Sequence, residues 1–288
     1  MEAVGTDKQR ILERERRWGK PVAYSAIASA VIYLVGLAVS LSGPLNRDTK
    51  ATQLESFYDH SSVLLLQSVL SAIGFLLLIP VFYFLFRAVQ ARNPAVRKEL
   101  AAFSFIGPVL LSIQVVLSWV ATNSIAKDYL DQVGSRTGQA ATDLAQKLID
   151  DSTLFKSVAG LGIPGTLGII IIVFYLGLMG MRTGVLTRFW GTFGMAFGIG
   201  FLILGPVGIN VWALYVGLLA AGWINRPPAW EAVEAIPWPA GGIRTPPGPD
   251  GTVEGNGREI DVAGSGGDKA GNSVEPSAAA PRKRKRRG

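Results

Sequence analysis

Residues 189–223 read FWGTFGMAFGIGFLILGPVGINVWALYVGLLAAGW, about 35 residues without one Asp, Glu, Lys, Arg or His. A hydrocarbon core of about 30 Å takes about 20 residues of helix at ~1.5 Å each, so the stretch is too long for one span. Gly205-Pro206 interrupts it with a pair that favours a turn or a broken helix. The stretch therefore reads as two short helices in a tight hairpin, 189–204 and 206–223, each reaching about 25 Å. This break sets the number of membrane crossings.

Four more apolar runs precede it, at 22–42, 62–87, 102–122 and 157–180. Charged residues make up 17% of the chain, against about 25% in an ordinary soluble protein. Within 22–224 they gather in short clusters between the runs. A cleaved secretory signal has a shorter basic region and a shorter apolar core than 1–42, so the first run reads as a retained span. The expected fold is all-α: a polytopic transmembrane bundle of six spans over 22–224, after a basic cytoplasmic segment over 1–21.

Lys and Arg in the loops test that count, because cytoplasmic loops carry the excess. Lys8, Arg10, Arg14, Arg16, Arg17 and Lys20 precede the first run; Arg87, Arg92, Arg97 and Lys98 follow the second; Arg182 and Arg188 follow the fourth. All three clusters fall on one side. Opposite them, Arg47, Lys50, Lys127, Arg136, Lys147 and Lys156 are mixed with acids. Six spans bring the C-terminal region back to the basic side; five would not. Trp18, Trp190 and Trp223 fall near the inner interface and Trp119 near the outer one, where indoles concentrate.

The net charge of +7 resembles a nucleic-acid signal until it is located: Arg282, Lys283, Arg284, Lys285, Arg286 and Arg287 supply six, leaving the body at +1. Residues 225–288 are rich in Pro, Gly, Ser and Ala, bury too little apolar surface to offset ordering entropy, and are expected to be a disordered cytoplasmic tail. Its polybasic end is the candidate contact for anionic lipid, RNA or an acidic protein surface. Outside the membrane, 140–150 reads as an amphipathic outer helix with Ala141, Leu144, Ala145, Leu148 and Ile149 on one face.

No catalytic, metal or cofactor site is legible. The chain has no cysteine and one histidine, His60, which excludes thiol chemistry, Cys-ligated metals and HExxH sites. His60 sits beside Ser61 and Ser62 at a helix end without an orienting third group, the ordinary setting of a solvated histidine. No ionisable residue lies mid-span, which disfavours a proton-driven pump. Gln67, Gln114 and Asn210 fall at similar depth in the outer half and form a candidate polar pocket, with the Gly- and Pro-rich stretch 160–165 alongside. The competing reading is that these amides only join helices. Small residues such as Ser25 and Ser29, and Gly191, Gly194 and Gly198, read as packing sites within the chain before they read as a homo-oligomer interface. Gly-Pro-Val recurs at 107–109 and 205–207, a candidate trace of an inverted repeat.

The stretch 171–200, with FYLGLMG, then MRTGVLTRFWG, then a Gly-rich helix, resembles an uncharacterised family of bacterial integral membrane proteins known as a domain of unknown function. FRAV at 86–89, followed by the turn holding Asn93, is similar to that family as well. The resemblance implies a bacterial cytoplasmic membrane and six helices, and it brings no known activity or functional residues. The expected function is a non-enzymatic structural or sensory membrane component without cofactors. The alternative is a permease or facilitator of a small neutral solute.

Overall fold

The computed structural model describes residues 2–41 and 48–236, and among these there are helices and turns but no strand. Helix α1 spans Glu2–Leu41, α2 Lys50–Asp59, α3 Ser61–Arg92, α4 Phe103–Val133 after a short 3-10 turn, and α5 Gln139–Asp151. Helices α6 (Thr153–Thr183), α7 (Arg188–Leu204), α8 (Val207–Ala221) and the single-turn α9 (Ala229–Ala232) complete it. Four helical stretches are long and apolar enough to cross a membrane: Asp7–Val39, Ser61–Arg92, Lys98–Val133 and Thr153–Thr183. Two shorter apolar helices, Arg188–Ile203 and Val207–Ala221, follow them.

Neighbours in sequence pack as neighbours in space. Helix α1 lies against α3, α3 against α4, α4 against α6, α6 against α7 and α7 against α8, and α8 returns to α1, so the six apolar helices close a ring. Helix α3 also touches α6 and α8 across it. The ring is apolar outside as well as inside: Leu34, Leu66, Ile113, Ile163, Ile171 and Leu202 are all exposed large hydrophobics. Water would penalise such a belt, whereas lipid tails solvate it.

Helix pairs approach closely where both lack side chains. A Cβ on Gly168 would lie 2.9 Å from the Gly107 Cα, so α4 and α6 meet backbone to backbone there. Serines tie other pairs: Ser25 Oγ donates to the Leu77 carbonyl at 2.7 Å and Ser112 Oγ to the Ala72 carbonyl at 2.9 Å. Gly191 packs on Met181 and the Gly177 carbonyl, and Gly194 on the Trp212 indole, so the glycines of α7 serve contacts within the chain.

The break in 189–223 lies at Gly205, whose φ of +63° disfavours any residue with a Cβ, and Pro206 caps α8. The two Gly-Pro-Val tripeptides differ in conformation, because Gly107 and Pro108 lie inside the first turns of α4.

Several boundaries differ from the expectation. Helix α1 runs unbroken through the N-terminal charged segment, since i,i+4 charges support a helix and Pro21 stands where the chain continues without a break. Helix α4 continues beyond 122 to Val133, and α2 occupies what reads as loop; with α5 they build a second small core around Leu54, Ile125, Tyr129 and Ala145. In α5 Ala141 and Ala145 are buried, and Leu144, Leu148 and Ile149 pack around them. The Gly- and Pro-rich stretch 160–165 is helical within α6, with Pro164 inside the helix. Within 225–236, expected to belong to a disordered tail, the chain forms α9, and Pro227, Ala229 and Trp230 are buried against the body. The remainder of that tail, with Arg282–Arg287, lies outside the described residues.

Candidate functional site

Two features hold polar groups inside the ring. The first is a cavity of about 220 Å³ lined by Ser29, Tyr33, Ser71, Gly74, Pro206 and Asn210, among others. Ser29 Oγ lies 2.9 Å from both the Asn210 Oδ1 and the Gly74 carbonyl, so its one proton is shared between two acceptors. Asn210 Nδ2 donates to the Pro206 carbonyl at 2.9 Å, which fixes the amide orientation. Asn210 is 6% exposed and Ser29 1%. The site follows from the break: Gly205 and Pro206 start α8 where its first turn can present an amide to α1.

Of the three amides expected to converge, Asn210 lines this cavity and Gln67 and Gln114 do not. Gln67 Nε2 donates to the Gly36 carbonyl of α1 at 3.3 Å. Gln114 Nε2 donates to Ser118 Oγ at 3.3 Å, with its side chain over Gly162 of α6. Position along a helix is legible in the sequence, but the rotation that decides which helix pair each amide faces is not. Helix α5 contributes no lining residue. His60 is exposed at the α2–α3 junction, its Nδ1 2.9 Å from the Ser56 carbonyl.

The second feature lies at the other end of the bundle. Arg92, at the last turn of α3, meets Glu15 of α1 in a bidentate pair at 2.7 and 3.0 Å. Their side chains are 0% and 4% exposed. The remaining N–H groups of Arg92 reach the Ala229 carbonyl at 2.7 Å, the Ala88 carbonyl at 2.8 Å and the Trp230 carbonyl at 3.0 Å. All five guanidinium donors are therefore satisfied. Trp230 is 2% exposed, donates through Nε1 to the Val185 carbonyl at 2.9 Å, and stacks on Phe84. Arg92 and Arg226 lie 5.0 and 5.2 Å from its ring centroid. Arg226 caps α8, donating to the Leu219 and Ala220 carbonyls; burial pushes its pKa down, while Glu15 opposes the shift.

This clasp gathers α1, α3, α8, the α6–α7 turn and residues 226–236 on one buried ion pair. Sequence reading missed it, because Glu15 is one charge among many in 7–20 and Arg92 is one of four basic residues in its loop. One signal was available: Trp230 is a large aromatic in a segment otherwise read as burying too little apolar surface to order.

Among the described residues no group of three or more His, Cys, Asp or Glu side chains is placed to hold a metal. A family model described as a domain of unknown function, DUF4386, matches residues 22–227. No curated protein and no solved structure matches.

Proposed function

We propose that this chain, which belongs to the DUF4386 family of unknown function, is a six-span protein of a bacterial cytoplasmic membrane, a non-enzymatic structural or sensory component rather than a conduit. The observation that carries this reading is the filling of the bundle between the cavity and the clasp. Along α3 the order is cavity-lining Leu78, then fully buried Phe82, Leu85 and Phe86, then Arg92. Along α8, Asn210 is followed by Trp212, Val216 and Leu219, all buried. Along α1, Ser29 is followed toward the N-terminus by Ala26, Ala23 and Val22, then Glu15. Three helices thus place a packed apolar layer and a paired charge between this cavity and the other end of the bundle, which favours a closed bundle over a conduit.

Loop charges orient the clasp end to the cytoplasm, where Arg14, Arg87, Arg97 and Arg182 gather. The α7–α8 pair makes the fifth and sixth crossings, short ones accommodated by local thinning or snorkelling. The polybasic stretch at 282–287 then faces the inner leaflet and engages anionic lipid, RNA or an acidic protein surface.

A second reading, a facilitator of small neutral solutes, draws on the hydroxyl and amide lining of the cavity. Osmotic shrinkage of proteoliposomes in glycerol and urea separates the two. The expected rates match those of protein-free liposomes, and a solute-selective acceleration that tracks protein density overturns the first reading.

A further inference from the structure

We propose that the groove between α1 and α3 at the clasp end is a binding site for an anionic phospholipid. It has a volume of about 270 Å³ and is lined by Arg14, Glu15, Trp18 and Val22 from α1 and by Pro80, Tyr83, Phe84, Arg87 and Ala88 from α3.

The two helices run antiparallel, so Arg14 and Arg87 lie at the same end and Val22 and Pro80 at the other. On α1, Arg14, Trp18 and Val22 recur every four residues and share a face over about 12 Å. The groove is therefore cationic at one end and apolar along the rest, the polarity of a headgroup joined to an acyl chain. Glu15 also faces it, but both its carboxylate oxygens are taken by Arg92. Neither Arg14 nor Arg87 forms an ion pair with a described residue; Arg87 spends one N–H on Gln90 Oε1 at 3.1 Å. Two half-buried guanidinium groups with no counter-charge among the described residues call for an anion, and a phosphodiester takes the bidentate geometry that arginine offers. Trp18 is 54% exposed and Tyr83 39%, so the groove opens on the belt that faces lipid. Both are amphipathic rings of the kind that settles at headgroup depth. The chain's own polybasic stretch is excluded as occupant by like charge.

The assignment to the inner leaflet rests on the orientation given under Proposed function, whereas the site itself does not. The test uses the full-length protein in mild detergent, titrated with phosphatidylglycerol or phosphatidylcholine and read by native mass spectrometry. The expected result is retention of phosphatidylglycerol over phosphatidylcholine, with at least a tenfold loss of that preference in Arg14→Gln/Arg87→Gln. Equal retention of both lipids by the wild type, or an unchanged preference in the variant, overturns the proposal. If the variant does not fold, the wild type decides: photoactivatable phosphatidylglycerol should crosslink within 14–22 and 80–88, and crosslinks confined elsewhere overturn it. Transfer of an external cysteine label to the clasp end in intact cells would overturn the orientation alone.

Discussion

Replacing Arg92 by alanine isolates the contribution of the clasp. The substitution leaves the Glu15 carboxylate, 4% exposed, without its partner, and strips donors from the carbonyls of Ala88, Ala229 and Trp230. Breaking a buried pair by removing one partner costs about 3–5 kcal/mol. At about 2–4 °C per kcal/mol for a body of this size, the unfolding midpoint should fall by about 6–20 °C. Arg92→Lys should fall between wild type and alanine, because an ammonium offers three donors where five are used. Removing both charges with Glu15→Gln/Arg92→Met should recover much of the loss, since an uncharged replacement of a buried pair is often close to neutral. The assay is thermal unfolding in detergent followed by tryptophan fluorescence, with the midpoints of Glu15→Gln, Arg92→Met and the double variant combined as a double-mutant cycle. A shift below 2 °C for Arg92→Ala, or strict additivity of the two single substitutions, would refute the view that this pair organises the end of the bundle.

Four further outcomes are expected. Trp230→Ala should cost about 3–5 kcal/mol and expose 226–236 to protease, whereas Trp230→Phe, which loses chiefly the bond to Val185, should cost about 0.5–1.5 kcal/mol. Gly168→Val should reduce the yield of monodisperse protein by forcing α4 from α6, with an overpacking cost of about 1–3 kcal/mol, while Gly160→Val, which meets no atom within 4 Å, should leave it unchanged. Cysteines introduced at Asp59 and Ser135 should label from outside intact cells, and those at Arg97 and Ser273 only after permeabilisation; labelling of 273 in intact cells contradicts six spans. A peptide covering 226–288 should bind single-stranded RNA with a log–log salt slope of about −4 if its six clustered charges all engage phosphate, and an insensitive affinity would remove the electrostatic partner.

The amino-acid sequence determined what depends on composition and period: a helical membrane body, four long apolar runs, the break at Gly205-Pro206, and the amphipathic face of 140–150. Each follows from a local rule, such as the length of helix that a bilayer needs or the conformation a glycine alone tolerates. Position along a helix was legible too, and Asn210 lies in the first turn of α8. Rotation about the helix axis was not, because runs apolar on every side carry little periodic signal to say which face meets protein and which meets lipid. That is why Gln67 and Gln114 turn to other partners while Ser29, read only as a small packing residue, meets Asn210. The clasp was hidden for a different reason. Its members, Glu15, Arg92, Arg226 and Trp230, come from segments far apart in the chain, and an ion pair between residues 77 positions apart leaves no trace in either neighbourhood. Only the closing of the ring brings those charges together in a place dry enough for the pairing to matter.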